Sequence, residues 1–176
     1  ARAALEEILS LLEPEDRFNL IAFGSSHRAL FPEPVMADGG HIREATRFVG
    51  QLDASMGGTN IGSALDAAYR SGRGDVLLIT DGEVWNDEGV LVPARRSGKR
   101  IFTVGVGSSV SEAFVRELAE QTGGACELVS PREDMAERIV RHFRRMDQPR
   151  AVRVNVEWPV AAGRQLPEAV DAVYGG

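Results

Sequence analysis

Two short segments carry the side chains best placed for chemistry. Met56-Gly57-Gly58-Thr59-Asn60 precedes a stretch with helical spacing, and Leu78-Ile79-Thr80-Asp81-Gly82-Glu83 closes an apolar run. A hydroxyl held by a glycine turn and a carboxylate at a strand end can converge on one point. Hard oxygen donors of that kind suit Mg²⁺, Mn²⁺ or Ca²⁺. Each residue also has a plainer reading, Thr59 as a helix N-terminal hydroxyl and Asp81 as a carboxylate capping loop amides. Asp81 and Glu83 would act as an acid–base pair only if the strand ran on past Gly82. Hydrolytic motifs are missing, with neither a G-x-S-x-G elbow nor an H-E-x-x-H pair. His27, His41 and His142 are scattered, never at ligand spacing, and read as surface residues. Cys126 is the single cysteine. It sits in an apolar segment and reads as a small core residue. One cysteine makes no internal disulfide, which leaves the compartment open.

The elements that must position these residues follow from periodicity. Leu5, Ile8, Leu9 and Leu12 mark an amphipathic helix near 2–13 that Pro14 ends. Residues 17–23 read as a strand ended by Gly24, with 27–31 as a short edge strand returning against it. Ile42, Ala45, Val49 and Leu52 mark a second helix, and Ile61, Ala64, Leu65 and Ala68 a third. Residues 75–80 and 101–106 are continuous apolar strands, the pattern of a parallel sheet covered on both faces. In 85–98 a helix either begins at Pro93 or is kinked there. Ser109 to Glu112 fits a capping box for a helix bearing Val115, Leu118 and Ala119. Residues 125–129 read as a strand. Ser130-Pro131-Arg132-Glu133 reads as the N-cap and first turn of a last helix, with Ala136, Ile139, Val140 and Phe143 as its buried stripe. Val152, Val154, Val156 and Trp158 alternate with polar residues as in a half-exposed strand, and 159–176 reads as a linker or tail.

Alternating strands and helices imply a three-layer α/β domain with a mostly parallel sheet. Ligands of such sheets bind outside the carboxyl ends of the strands. Gly24-Ser25-Ser26, Thr80-Asp81-Gly82-Glu83 and Gly105-Val106-Gly107-Ser108-Ser109 should meet there. The last segment also resembles a dinucleotide fingerprint, but its third glycine is replaced by Val110, and a tight strand-to-helix turn explains it as well.

Composition narrows the function classes. The chain has 176 residues, with 20 Lys+Arg against 26 Asp+Glu and a net charge of −6. A sequence pI near 5.2 argues against non-specific nucleic-acid binding. A hydrophobic share of 43% is enough for a packed core. Apolar runs such as 76–79 are far too short to span a bilayer. The chain opens at Ala1 without a charged segment leading into an apolar one, so no signal peptide is expected and a piece of a larger protein is. Arg138, Arg141, Arg144 and Arg145 form a basic band on the last helix, read as a solvated face or as a partner-binding one.

Five motifs in order then resemble the von Willebrand factor type A (VWA) domain. They are DRFNLIAFGS, GGTNIGSAL, LLITDGEV, RIFTVGVGSSVSEAFVRELAEQTGG, and CELVSPREDMAERIVRHFRRM followed by VRVNVEWP. The details are most similar to the VWA domains of proteins that also carry a vault/inter-alpha-trypsin (VIT) module, such as inter-alpha-trypsin inhibitor heavy chains. The resemblance covers residues 1–158 and implies a Rossmann-like three-layer sheet. It implies a non-catalytic module that recognises a partner protein. It also implies a metal-ion-dependent adhesion site for Mg²⁺ or Mn²⁺, with a partner carboxylate completing the shell. Thr59 and Asp81 match two of the family's metal ligands, and Gly58, Asn60, Glu83 and Trp85 would form the partner-binding rim, with packing under the loop as the other reading of Trp85.

The resemblance also defines what the chain lacks. The family's first strand and its D-x-S-x-S loop are not in this sequence. Asp53-Ala54-Ser55-Met56-Gly57 resembles that loop but lacks the final serine and follows a helix, and reads as an exposed connection. Two protein oxygens would leave about four of magnesium's six positions to water. Binding by this chain alone should therefore be weak or absent. The domain is expected over 1–149, without its first central strand, and 150–176 as a strand and linker towards a following region. A sheet missing its central strand presents an edge open to pairing, with the 152–158 strand or a second chain. Two other functions stay open, a metal-independent scaffold and a nucleotide-binding α/β enzyme domain.

Overall fold

A computed structural model describes residues 2–52, 60–82, 87–107, 110–130, 134–148, 150–151 and 173–174. The centre is a parallel sheet ordered β5-β6-β7, formed by β5 (Val76–Thr80), β6 (Ile101–Val106) and β7 (Cys126–Val129). Helix α4 (Asp87–Ser97) links the first pair of strands and α5 (Glu112–Thr122) the second. The register sets Thr80 opposite Gly105 and Gly105 opposite Leu128, so the carboxyl ends of the three strands lie side by side.

Strand periodicity sorts the side chains between two cores. Val76, Leu78, Ile101, Cys126 and Leu128 face one side, where α3 (Ile61–Arg70), α4 and α5 cover them with Ile61, Leu65, Leu91, Phe114 and Leu118. Leu77, Ile79, Val104, Val106 and Val129 face the other, against Ala4 and Ile8 of α1 (Arg2–Leu11) and Ile139 and Val140 of α6 (Met135–Arg144). A third cluster joins Leu9 of α1 to Ala45 and Val49 of α2 (Gly39–Gly50), with Phe18, Leu20 and Leu30 packed on it. The expected three-layer α/β architecture is present.

The N-terminal strands form two small antiparallel ladders. The first pairs β1 (Arg17–Phe18) with β4 (Val35–Met36), and the second pairs β2 (Ile21–Phe23) with β3 (His27–Ala29). The expected continuous strand over 17–23 is broken at Asn19. Its side chain accepts from Leu20 N at 2.8 Å and Phe31 N at 3.1 Å, and it donates to Phe31 O at 2.9 Å. An asparagine that bonds local backbone interrupts the ladder. Neither hairpin pairs with β5, whose second edge has no ladder partner among the described residues. Val76, Leu77 and Ile79 on that strand are half-buried, whereas Ile101, Phe102 and Val104 of β6 are fully buried.

Two helix starts and the chain's end differ from the sequence expectation, and at a third one of two alternatives, a start at Pro93, is excluded. Helix α4 begins at Asp87 and runs through Pro93. The N-cap of α5 is Ser111, without a side-chain bond, in place of a capping box from Ser109. The N-cap of α6 is Asp134, whose carboxylate accepts from Ala136 N at 3.0 Å and Glu137 N at 3.1 Å. A carboxylate two and three residues ahead of those amides satisfies them and favours the helix dipole better than Ser130 would. Residues 159–176 are not wholly a tail, because β9 (Val173–Tyr174) pairs with β8 (Arg150–Ala151). The strand expected at 152–158 lies outside the described residues.

The turn into β7 depends on two glycines. Gly123 closes α5 at φ 74°, a left-handed conformation that costs other residues more. At Gly124 a Cβ would stand 2.0 Å from Ile101 O.

One buried polar seam lies between β7 and α6. Glu127 points to the face where its neighbours are apolar, and its side chain is 9% exposed. Arg138 Nε lies 2.8 Å and Arg141 Nη2 3.1 Å from Oε1, and Arg145 Nη1 lies 3.3 Å from Oε2. A carboxylate so far from water stays charged only with partners of this kind. Arg138 Nη2 also donates to Leu128 O at 3.3 Å.

Beside this seam, His142 is fully buried and is not a surface histidine. Its Nε2–H donates to Ala125 O at 3.0 Å, and its ring meets Phe102 edge-on at 5.8 Å. Burial holds its pKa down to about 4, with the Ala125 bond and Glu127 opposing and Arg145 and Arg141 reinforcing the shift. Folded His142 thus stays neutral while the unfolded chain takes up a proton below about pH 6.5. Its contribution is intact above that pH and is lost as pH falls towards 4. Between pH 7.5 and 5 the loss should be about 2 kcal/mol. Urea unfolding across that range should show it, and His142→Leu should remove this component of the slope.

Candidate functional site

The carboxyl ends of β5 and β6 form the rim that the sequence pointed to. Thr80 is buried at the end of β5, and its Oγ1 accepts from Gly82 N at 3.3 Å. The strand therefore turns away within two residues, and Asp81 projects at the bend as an exposed residue. Thr80 Oγ1, and not the Asp81 carboxylate, binds the turn amide. The Asp81 side chain has no hydrogen bond or ion pair with a described residue. Residues 83–86, whose amides the loop-capping reading of Asp81 concerns, lie outside the described residues.

A second contact fixes the start of α3. Asn60 is its N-cap, and its Oδ1 accepts from Ser63 N at 3.1 Å. The backbone N–H of Asn60 donates to Gly24 O at 2.7 Å, and Gly24 N donates to Ser26 O at 2.8 Å. The β2–β3 turn and the exit of the Gly-Gly-Thr loop are thus joined. Asn60 is exposed, as a rim residue would be, but its side-chain oxygen is already used for capping. Thr59, Gly58, Glu83 and Trp85 lie outside the described residues.

Sequence reasoning missed one pair here. Exposed His27, on β3, places Nδ1 2.5 Å from Ser63 Oγ on α3. The two residues are 36 positions apart, so no local pattern announces the contact. It is a second tie between the hairpin and the helix.

The third segment has a structural use for its glycines. Gly107 has φ 90°, and its N–H donates to Val129 O at 3.0 Å. At Gly105 a Cβ would meet Leu128 at 2.9 Å and Val110 at 3.1 Å. Val110 is buried over this glycine. Such packing is what a tight strand-to-helix turn requires, and it fills the space above the first glycine with an apolar side chain. Cys126 is half-buried, and burial pushes its thiol up, as suits a packing residue.

Similarity to known proteins agrees with this arrangement. The profile of the von Willebrand factor type A domain matches residues 1–128. The chain belongs to the VWA domain family. It is 32% identical to the human von Willebrand factor A domain-containing protein 5A, over 92% of this chain and 22% of that protein. It is 31% identical to a von Willebrand factor A domain-containing protein of Dictyostelium discoideum, over 100% of this chain and 9% of that one. The chain thus spans less than a quarter of either relative. Among solved structures, a von Willebrand factor type A protein from Catenulispora acidiphila superposes with a TM-score of 0.67 at 24% identity, covering 82% of this chain and 36% of that one. An aerotolerance-related membrane protein from Bacteroides fragilis superposes at 0.65 with 20% identity, covering 82% of this chain and 85% of that one.

VWA domains are in general protein-interaction modules, mostly without enzymatic activity, and often bind a divalent metal. In this VWA domain the carboxylate chemistry of Asp81 fits a hard cation. Among the described residues, however, no three His, Cys, Asp or Glu side chains gather into a metal-holding group. No described helix is long and apolar enough to cross a membrane.

The cap at α3 can be tested directly. Asn60→Ala should lower stability by about 1 kcal/mol in urea unfolding, and Asn60→Asp should preserve it.

Proposed function

We propose that this VWA domain binds a partner protein through a divalent cation at the carboxyl edge of its sheet. The observation that carries the reading is Asp81, an exposed carboxylate at the end of β5 with no bond to a described residue. Asp81 and Thr59 would hold Mg²⁺ or Mn²⁺, which when bound attracts an acidic residue of the partner as a further ligand. Gly58, Asn60, Glu83 and Trp85 would contact the partner around it. The role is recognition and not catalysis. The five motifs support placement in the VIT-associated, inter-alpha-trypsin inhibitor-like group. The remaining ligands would come from a D-x-S-x-S loop on a strand outside this sequence, entering beside the edge of β5 that has no ladder partner among the described residues. The VWA unit is then 1–149, with 150–176 leading onward. Until that strand enters, the edge is open to a second copy of the chain, which light scattering would register.

A metal-independent scaffold is the second reading, favoured by the absence of a three-member ligand cluster among the described residues. Calorimetric Mn²⁺ titration separates the two. The chain itself should bind weakly or not at all. A longer protein carrying the D-x-S-x-S loop should bind saturably, and Asp81→Ala in it should weaken binding more than about tenfold. No binding by the longer protein would establish the scaffold.

A further inference from the structure

The outer face of α6 concentrates positive charge on an acidic chain. Residues 138–145 contain Arg138, Arg141, Arg144 and Arg145 and no acid, while the chain as a whole carries −6. Three of these arginines converge on one carboxylate, Glu127, from 2.8 to 3.3 Å. Arg141 and Arg145 share that carboxylate, one on each oxygen. Arg141 is 51% exposed and Arg145 36% even while they reach it. Arg144, exposed on the next flank, makes no ion pair with a described residue. Glu137 and Asp147 bound the stretch at either end.

We propose that this arginine face is a docking surface for an acidic segment of another protein. Glu127 acts as an anchor. By holding Arg141 and Arg145 through part of each guanidinium, it limits their rotamers before a partner arrives, which lowers the entropy lost on binding. Both guanidinium groups keep exposed surface, and their planar fork of N–H donors matches a carboxylate. The size of the patch selects its occupant. From Arg138 to Arg145 the helix advances about 10 Å. A short run of Asp and Glu fits that length. A nucleic-acid duplex or an anionic bilayer extends beyond it and meets the net negative remainder of the domain.

The face is separate from the Asp81 edge. Helix α6 runs back along β7, with His142 at Ala125 and Met146 O accepting from Arg100, so Arg141 to Arg145 lie beside the amino ends of the strands. Docking there needs no metal.

Fluorescence anisotropy of a labelled poly-glutamate peptide with the full chain tests the proposal. Saturable binding is expected at low salt, weakening as salt rises, unchanged by EDTA. Arg144→Glu should reduce affinity about fivefold while the domain stays folded at the assay temperature by circular dichroism, because Arg144 makes no ion pair with a described residue. Arg141→Glu should reduce it about tenfold or more. Duplex DNA and equimolar phosphatidylserine–phosphatidylcholine vesicles should bind more weakly than the peptide. Lack of saturable binding, full affinity in Arg144→Glu, loss with EDTA, or tighter binding of DNA or vesicles would each overturn it.

Discussion

The parallel ladder through β6 is the constraint on which the rest depends. Its residues Ile101, Phe102, Thr103 and Val104 are fully buried, because the strand has a neighbour on each edge and helices over each face. A strand so enclosed cannot shift by one residue without exchanging its two cores. Thr103 shows how tightly the position is used, since its hydroxyl donates to Val115 O at 2.8 Å inside the α5 interface. With β6 fixed, the pairing of Thr80 with Gly105 aligns the strand ends, and the Asp81 bend and the Gly105–Gly107 turn fall on one edge.

The two flanks of that ladder are treated differently. On the β7 side the outward carbonyl of Leu128 is met by Arg138, which is also bound to Glu127. An edge strand whose outward groups are occupied by a charged side chain is a poor template for pairing. On the β5 side no such device is found among the described residues, and the strand is apolar from Val76 to Ile79. The β2–β3 hairpin remains tied to α3 through Gly24–Asn60 and His27–Ser63, with Phe23 packed into the main core. The asymmetry suits the proposal that a further strand pairs on the β5 side.

Much of this was legible in the sequence for a simple reason. Helical and strand periods report which side chains are withdrawn from water, so the helices around Ile8, Val49, Leu65, Leu118 and Ile139 and the strands at 76–80, 101–106 and 126–129 were readable. A carboxylate directly after a buried strand must stand at the sheet's edge, which made Asp81 a candidate. Helix starts were harder. Ser111 and Asp134 took the cap positions expected of Ser109 and Ser130 because several residues near each start can supply an oxygen, and packing selects among them.

The sequence by itself determined the alternation of elements, the two apolar faces of the sheet and the placing of a carboxylate at its carboxyl end. It also carried the ordered motifs of the VWA family. Tertiary structure decided which polar groups meet. Glu127 read as one residue of a strand and Arg138, Arg141 and Arg145 as part of a basic band, solvated or partner-binding, yet they form one cluster. His142 read as a surface residue and lies buried against Phe102, and His27 found Ser63 across the α3–hairpin contact. Periodicity encodes how far a side chain is from water, a property of one element. The partner of a polar group depends on which faces of two elements come together, and only packing fixes that.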